Sequence, residues 1–342
     1  MKLRKLIRRY QNDPLSSWHK LRYATRQNHR NLLRQIDRRY GHVRLKKIKG
    51  RTLLKWHAQW LDGTKFSAAR AFIKKIRVLF GYGLTILEDR ECARIRQVMT
   101  AMRFPGSPRR KQRITLEQAS AIIRTAHRVR DGAVALAQAF QFELMLRQKD
   151  VIGEWMPIDE EGEGYVVDGD ETWSRGLLWE EIDDDLVLRH RTSKTGKIAV
   201  FDLKLAPLVL AELRRRNRPE CGPIIVSPAT GQPYRAHQFR RAWREIARDA
   251  GVPDDVFNMD SRAGAISEAF DAEADPDFIR TAATHSELAT TQGYNRGDEL
   301  ARSRKVARAR IRKRPATTQR RTTRVGARRP AQRSRGALAA AA

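Results

Sequence analysis

The sequence has little cysteine and no long apolar run. Only Cys92 and Cys221 occur in 342 residues, too few for a disulfide framework or a cysteine-rich zinc site, so a reducing, intracellular setting is expected. The first residues, MKLRKLIRR, lack the apolar segment of a signal peptide, and no stretch approaches the ~20 apolar residues of a membrane span. We therefore expect a cytoplasmic protein rather than a secreted or membrane-embedded one.

Acidic residues are scarce too, but only in parts of the chain. The sequence has 69 Lys and Arg against 39 Asp and Glu, a formal charge of +30. Residues 1–113 carry a net +25, residues 114–300 a net −10, and residues 301–342 a net +15. An excess of this size indicates a polyanionic partner, most often nucleic acid, and places its contacts at the two ends of the chain.

The apolar pattern of the basic front predicts a bundle of helices. Trp18, Leu21, Leu32, Leu33 and Ile36 share one helical face, which Gly41 would end. Thr52 and Ser67 are expected to cap two further helices, and a fourth is predicted over 89–102. Residues 104–113, with two prolines and four basic residues, are interpreted as a linker.

The second half predicts more helices and a small antiparallel sheet. Thr115 to Gln118 has the form of a capping box, and a strongly apolar helix is predicted over 133–146. Strand-like runs cover 164–167, 177–179, 186–188 and 198–201, the last two forming a hairpin with Gly196 in its turn and Lys194 near its tip. Helices are then predicted over 205–217, 236–250, 261–273, 275–283 and 296–312.

These elements predict a mainly α fold with a small antiparallel β-sheet (α+β). We expect a helical domain over 1–103, the linker, a second domain over 114–313, and a tail over 314–342. The tail is Arg-, Thr- and Ala-rich with almost no large apolar residue, so it is interpreted as disordered.

Five residues in order carry the candidate chemistry. Arg147 lies in LMLRQKDV, Lys194 in SKTGK, Arg262 in MDSRAGAI, and His285 and Tyr294 in THSELATTQGYN. Each residue alone is usually structural: an arginine at a helix end caps it, and a histidine more often packs than reacts. Their joint occurrence in this order favours a catalytic set.

The set resembles the tyrosine recombinase, or phage integrase, family. The segment from His-Ser to Thr-Thr-Gln-x-Tyr, whose histidine and tyrosine are nine positions apart, is its most specific part, and the resemblance covers about 12–305. It implies a SAM-like core-binding domain before a recombinase catalytic domain. It also implies a bacterial or phage-encoded site-specific recombinase of a mobile element, acting on double-stranded DNA.

The resemblance implies a role for each residue. Tyr294 would attack the phosphodiester and form a covalent 3′-phosphotyrosine, while Arg147 and Arg262 clamp the phosphate with paired hydrogen bonds. Lys194 would protonate the leaving 5′ oxygen, and His285 would donate a hydrogen bond to the phosphate. Bond energy is kept in the intermediate, so no cofactor or metal is expected. A homo-tetramer on paired DNA sites is implied, and accessory DNA-bending factors are compatible with it.

Three positions depart from the family pattern. Met259 stands where a histidine usually precedes the second arginine by three residues, and a thioether cannot shuttle a proton. Thr284 replaces a usual glycine, and Ser261 an apolar residue. We expect an active enzyme with a reduced acid–base set.

Three alternatives stay open: a DNA-binding relative with impaired cleavage, a type IB topoisomerase, and a non-enzymatic DNA-binding protein. The carboxylates crowded into 159–185 match no EF-hand spacing and are interpreted as a solvated face rather than a metal site.

Overall fold

The computed structural model describes residues 1–106, 108–161, 164–297 and 299–313. The predicted tail, 314–342, lies outside these ranges. The chain divides into two compact units: an N-terminal unit of 1–111 with 155–174, and a C-terminal unit of 112–154 with the described residues from 175 onward.

The described residues are mainly helical. Their helices are α1 (Leu3–Asn12), α2 (Tyr23–Tyr40), α3 (Gly50–Leu61), α4 (Phe66–Thr85), α5 (Arg90–Ala101), α6 (Leu116–Arg128), α7 (Gly132–Glu143), α8 (Gln148–Ile152), α9 (Ile158–Glu161), α10 (Pro207–Leu213), α11 (Ala236–Asp249), α12 (Asp260–Asp271), α13 (Pro276–Ala282), α14 (Leu288–Tyr294) and α15 (Glu299–Arg312). The strands are β1 (Glu154–Pro157), β2 (Val166–Asp168), β3 (Glu171–Ser174), β4 (Val187–Arg191) and β5 (Ile198–Asp202).

The N-terminal unit is built around an aromatic core. Tyr40 stacks on Trp56 with ring centroids 4.1 Å apart, and Trp60 stacks on Phe72 at 5.1 Å. These rings come from α2, α3 and α4, so stacking ties the three helices together, each pair contributing about 0.5–1.5 kcal/mol beyond its buried area. The expected helical bundle is present, and most of its lysines and arginines are exposed or half-buried, whereas Lys75 on α4 is buried.

Several details of this unit differ from the predictions. Trp18 and Leu21 do not lie on α2, which begins at Tyr23, because Trp18 belongs to a short 3-10 helix and Leu21 follows it. Ser67 is not the N-cap of α4, because it lies inside that helix after the N-cap residue Lys65.

Helix α1 was not predicted. Its sequence includes four arginines and lysines, but Leu3, Leu6, Ile7 and Tyr10 are buried at the spacing of one helix side. Thr52 is not the N-cap of α3. It lies inside the first turn, where its Oγ1 accepts a hydrogen bond from the Lys49 backbone N–H (3.2 Å).

The C-terminal unit is centred on α7, which is buried nearly all round. Asp131 caps its start by accepting from the Val134 N–H (3.1 Å), and the helix ends at Glu143, three residues before the predicted end. The predicted capping box of α6 is confirmed: the Thr115 hydroxyl accepts from the Gln118 N–H, and the Gln118 side chain accepts from the Thr115 N–H. Because α7 ends at Glu143, residues 144–147 form a connection to α8, and Arg147 is the last residue of that connection.

The strands form two small sheets. One has the order β1-β3-β2, with β2 and β3 antiparallel, and the other is the antiparallel hairpin of β4 and β5. The predicted hairpin is confirmed, with Gly196 at φ +68°, a left-handed conformation that favours glycine. The predicted strand at 177–179 is wrong: Leu178 forms only an isolated bridge with Pro223, and the chain turns into a short 3-10 helix.

No helix among the described residues is long and apolar enough to span a bilayer. Within the same ranges, no group of three or more His, Cys, Asp or Glu side chains is placed to hold a metal ion.

Candidate active site

Tyr294 is the last residue of α14, a seven-residue helix that was not predicted. Its polar, β-branched sequence, LATTQGY, carries no helical apolar stripe. The helix is held by its surroundings instead, with Thr291 fully buried and Tyr294 packed against Ile266, Ile279 and Ala283. The tyrosine ring is half-buried and stacks on the His285 imidazole, with centroids 5.2 Å apart and an interplanar angle of 23°.

Arg262 lies beneath this tyrosine on α12. Its side chain is 4% exposed, and its Cζ is 5.6 Å from the centre of the Tyr294 ring. Nη1 donates to the Met145 carbonyl, and Nη2 donates to the Ala283 carbonyl and to His285 Nε2. Its buried Nε–H has no acceptor among the described residues. The guanidinium is thus fixed in place and still has a donor to offer.

Burial and the positive charge of Arg147 lower the pKa of Arg262 to about 10, against attraction from Tyr294 and Asp150. The guanidinium therefore stays charged at neutral pH. Two arginine charges close enough to repel each other, in a largely buried place, form a site suited to an anion.

His285 is a neutral imidazole in one tautomer. Arg262 can only donate, so Nε2, 2.8 Å from its Nη2, must accept. The proton is then on Nδ1, which donates to the Thr291 hydroxyl (2.9 Å). Burial, followed by the charges of Arg262, Arg147, Lys194 and Lys197, lowers the pKa of His285 to about 3. The four cations that lower the pKa of this imidazole are therefore all close to His285.

The low pKa of His285 should appear in acid stability. Its ordinary value is 6.5, so between pH 6.5 and about 3 the unfolded chain binds a proton there that the folded protein does not. The free energy of unfolding must then fall as pH falls, by up to about 1.4 kcal/mol per pH unit from this residue. His285→Gln should remove that contribution, so urea titrations at pH 7 and pH 4.5 should show a smaller pH effect in the variant. A pH effect equal to the wild type's would contradict the assignment, and His42→Gln, at an exposed histidine outside the site, is the matched control.

Arg147 is the N-cap of α8 and is oriented by Asp150. The fully buried Asp150 carboxylate accepts from the Arg147 backbone N–H (3.3 Å) and from its Nη1 (3.4 Å) through one oxygen. Its other oxygen accepts from the Ser193 N–H (2.8 Å) and hydroxyl (2.6 Å). Because Ser193 precedes Lys194, one carboxylate fixes both the first arginine and the hairpin tip.

The hairpin brings two lysines to the site. Lys194 is exposed at the tip, and Lys197, which was not predicted as part of the site, donates from Nζ to the His285 carbonyl (3.2 Å). The tip is closed by the Thr192 N–H, which donates to the Lys197 carbonyl (2.9 Å). The turn that carries Lys194 is therefore fixed by hydrogen bonds on both sides, and the exposed Lys194 side chain can contact a ligand.

The three departures from the family pattern have distinct structural settings. Met259 precedes α12 and is 56% exposed, so it supplies no polar atom to the site. Ser261 is buried, and its hydroxyl lies within hydrogen-bond distance of the Gln138 amide, which also accepts from Trp243 Nε1 (2.9 Å). Thr284 has φ +52°, a strained conformation for a β-branched residue, at the position where the family usually has glycine.

The residues that contact and orient the five predicted site residues were not predicted from the sequence. Asp150 and Ser193 neighbour predicted residues, and their only signal is that adjacency. Thr291, Lys197 and Arg296 reach the site through contacts across 6, 88 and 36 residues of sequence. No spacing rule links such partners before the fold is known.

No family model matches the chain, and no curated protein sequence matches it. Among solved structures, it is similar to a lambda integrase dimer bound to a COC′ core site, with TM-score 0.66, 16% identity, and coverage of 86% of this chain and 95% of that one. It is also similar to a lambda integrase tetramer bound to a Holliday junction, with TM-score 0.66, 15% identity, and coverage of 87% of this chain and 79% of that one. The Tn1549 transposon integrase with circular intermediate DNA has TM-score 0.63, 12% identity, and coverage of 90% of this chain and 99% of that one.

At such low identity the likeness establishes the fold. The chain has the tyrosine recombinase fold, in its helical first unit and in the mainly helical second unit with its hairpin, which confirms the predicted fold class.

Proposed function

We propose that this protein is a site-specific DNA recombinase that breaks and rejoins duplex DNA through a covalent 3′-phosphotyrosine. The observation that carries the proposal is the buried Arg262, fixed by three acceptors, with a spare Nε–H, directly beneath the Tyr294 ring. A charged donor that lacks a protein acceptor fits a phosphate oxygen. A tyrosine beside that oxygen is placed to attack the phosphorus.

The reaction can be written with its atoms balanced. The Tyr294 phenolic oxygen forms a bond to phosphorus as the bond to the 5′ oxygen breaks, and Lys194 supplies the proton that this oxygen needs. Arg147 and Arg262 bind the non-bridging oxygens, whose charge grows in the transition state. The phenol proton leaves to water, because Met259 cannot accept it. Attack by a 5′ hydroxyl on the phosphotyrosine reverses the steps and joins the strands.

The role of His285 follows from its tautomer. Its Nε2 accepts from Arg262 and its Nδ1 donates to Thr291, so both ring nitrogens are occupied within the protein. We assign it the task of orienting Arg262 and backing the Tyr294 ring, in place of the phosphate contact that the sequence suggested.

DNA binding is assigned to the basic front, residues 1–103, which we propose as a core-binding domain joined by the basic linker 104–113 to a catalytic domain over 114–313. Most of its contacts would go to phosphates. Because the solved lambda integrase assembly on a Holliday junction is a tetramer, we propose the same stoichiometry for this chain on paired sites.

Helix α2 presents a surface suited to reading bases. Its apolar side, Leu33, Ile36 and Tyr40, is buried. On its exposed side Asn28, Asn31 and Gln35 follow one another at spacings of three and four residues, with arginines on the same side at 34 and 38. Asparagine and glutamine pair with adenine in the major groove, and arginine pairs with phosphate or guanine. We assign base recognition to this amide row.

Two substitutions on α2 separate base recognition from phosphate binding. Asn31→Ala should relax preference at one base pair by about 1–3 kcal/mol while leaving nonspecific affinity near wild type. If Arg38 meets a phosphate, Arg38→Ala should weaken all sequences alike and reduce the salt slope by about 1. Binding titrations on a set of single-base site variants at several salt concentrations give both quantities. Equal loss on all sites for Asn31→Ala would remove this helix from base recognition.

The experiment that tests the function is trapping of the covalent adduct on a nicked duplex. The nick lets the short cleaved fragment diffuse away, so rejoining fails and the intermediate accumulates. Supercoil relaxation without exchange between two defined sites would instead favour topoisomerase activity, and tight, salt-dependent binding without adduct would favour a non-enzymatic DNA-binding protein.

A further inference from the structure

Arg296, two residues after the tyrosine, is held by α12 in two ways. Its Nη1 donates to Asp260 Oδ1 (2.7 Å), and its backbone N–H donates to the Ser267 hydroxyl (2.8 Å). Asp260 and Ser267 are both fully buried, and the Arg296 side chain is 13% exposed. The same guanidinium also donates to the Gln112 carbonyl. The chain after Tyr294 is therefore tied to the helix that carries Arg262.

The two residues of α12 that bind Arg296 lie on either side of Arg262 in the sequence. Asp260 is two residues before Arg262, and Ser267 is five residues after it. The Ser267 hydroxyl also lies 3.2 Å from the Tyr294 carbonyl, so a single side chain contacts the residues on both sides of Asn295. The Arg296 Cζ is 6.0 Å from the centre of the Tyr294 ring, so the tyrosine lies near both guanidiniums.

We infer that Arg296, with Asp260 and Ser267, is a positioning element that sets where the Tyr294 phenol stands relative to Arg262. This inference rests on the proposed function. Helix α14 is only seven residues long and ends at the tyrosine, so its own hydrogen bonds cannot hold that residue firmly. The Asp260–Arg296 ion pair is almost fully buried, so removal of the arginine takes a cation away from a buried carboxylate, which is costly. Placement of a nucleophile within about 1 Å matters by about 100-fold in rate.

Arg296→Gln tests the inference directly. With DNA saturating, the rate of adduct formation should fall by about 10- to 100-fold, while the dissociation constant for DNA stays within about twofold of wild type, because Arg296 is turned inward. Arg296→Lys, which can keep one bond to Asp260, should recover part of the rate, and Ser267→Ala should lower it less than Arg296→Gln. Arg241→Gln, which breaks an exposed pair with Glu245, is the matched control.

A second measurement separates positioning from support of the whole site. In the Tyr294→Phe background, hydrogen peroxide can replace the phenol: its oxygen bonds to phosphorus, the bond to the 5′ oxygen breaks, and that oxygen is protonated as before. Peroxide-driven breakage needs a folded protein and the phosphate-binding groups, but no placed tyrosine. Adding Arg296→Gln should leave this rate unchanged.

The outcomes are distinct. An Arg296→Gln adduct rate equal to wild type overturns the inference. So does a parallel fall in adduct formation and peroxide-driven breakage, which would make Arg296 a structural residue. Absence of any adduct with the wild-type protein would instead overturn the proposed function itself.

Discussion

Tyr294→Phe should abolish the covalent adduct on a nicked duplex and leave DNA binding intact. The substitution removes one oxygen, the atom that is proposed to bond to phosphorus, and keeps the ring that stacks on His285. Arg262 keeps its hydrogen bonds to the Met145 and Ala283 carbonyls and to His285 when the hydroxyl is removed. Denaturing gels of protein with labelled DNA give the adduct, and gel shifts at matched salt give the affinity.

A matched control is available in Tyr165, which is 57% exposed on the N-terminal unit. Tyr165→Phe should form adduct at the wild-type rate. An adduct that persists in Tyr294→Phe would show that another nucleophile attacks the DNA, and the site would have to be assigned again.

Arg262→Lys should lower the rate of adduct formation by about 100- to 1,000-fold, the usual cost of losing one preorganised donor to a developing oxyanion. Lysine keeps the charge but cannot donate in the planar fork that reaches Met145, Ala283 and His285 while leaving Nε–H for phosphate. Two carbonyls and an imidazole nitrogen would compete for its three protons. Single-turnover rates at saturating DNA measure the effect.

The same substitution should also destabilise the protein, by about 1–3 kcal/mol for each buried acceptor left unpaired. Arg241→Lys, on an exposed face, controls for the chemistry of the exchange. A rate within a few-fold of wild type for Arg262→Lys would mean that charge alone suffices, and the directional clamp would be wrong.

The residues proposed for catalysis could be predicted from sequence because their chemistry leaves few alternatives. Binding of a phosphate favours guanidinium groups, and attack on phosphorus needs a nucleophile. His285 and Tyr294 lie in one short segment whose neighbouring residues follow the family pattern. The capping box also predicted the start of α6, and recurring apolar positions are found in α11, which matches the helix predicted over 236–250.

The residues that support the site could not be found in this way. Helix α14 has no apolar stripe and folds because Thr291 and Tyr294 are buried by other elements. Asp150 joins Arg147 to Ser193 across 43 residues, and Asp260 joins Arg296 across 36. Such pairings are chosen by tertiary structure, and one polar residue in a sequence does not name its partner.

Met259 illustrates how a departure from the motif acquires meaning from the structure. The sequence suggested a weakened acid–base set, and the side chain is in fact exposed, with no polar atom to give. The proposed nucleophile, Tyr294, is then left with two guanidiniums and a neutral imidazole around it. Because Met259 cannot accept the phenol proton, the rate depends more strongly on the position of the Tyr294 phenol. The Asp260–Arg296 pair is inferred to set that position.

The central claim is the identity of the bond between protein and DNA. Wild-type protein trapped on a nicked duplex that carries its recombination site should be digested and the DNA-linked peptide sequenced by mass spectrometry. The account predicts a single peptide, spanning Thr290 to Arg296, with a nucleotide phosphate on Tyr294 and the free end of the cut strand bearing a 5′ hydroxyl. A nucleotide on any other residue, or a cut that leaves a 5′ phosphate, would contradict it.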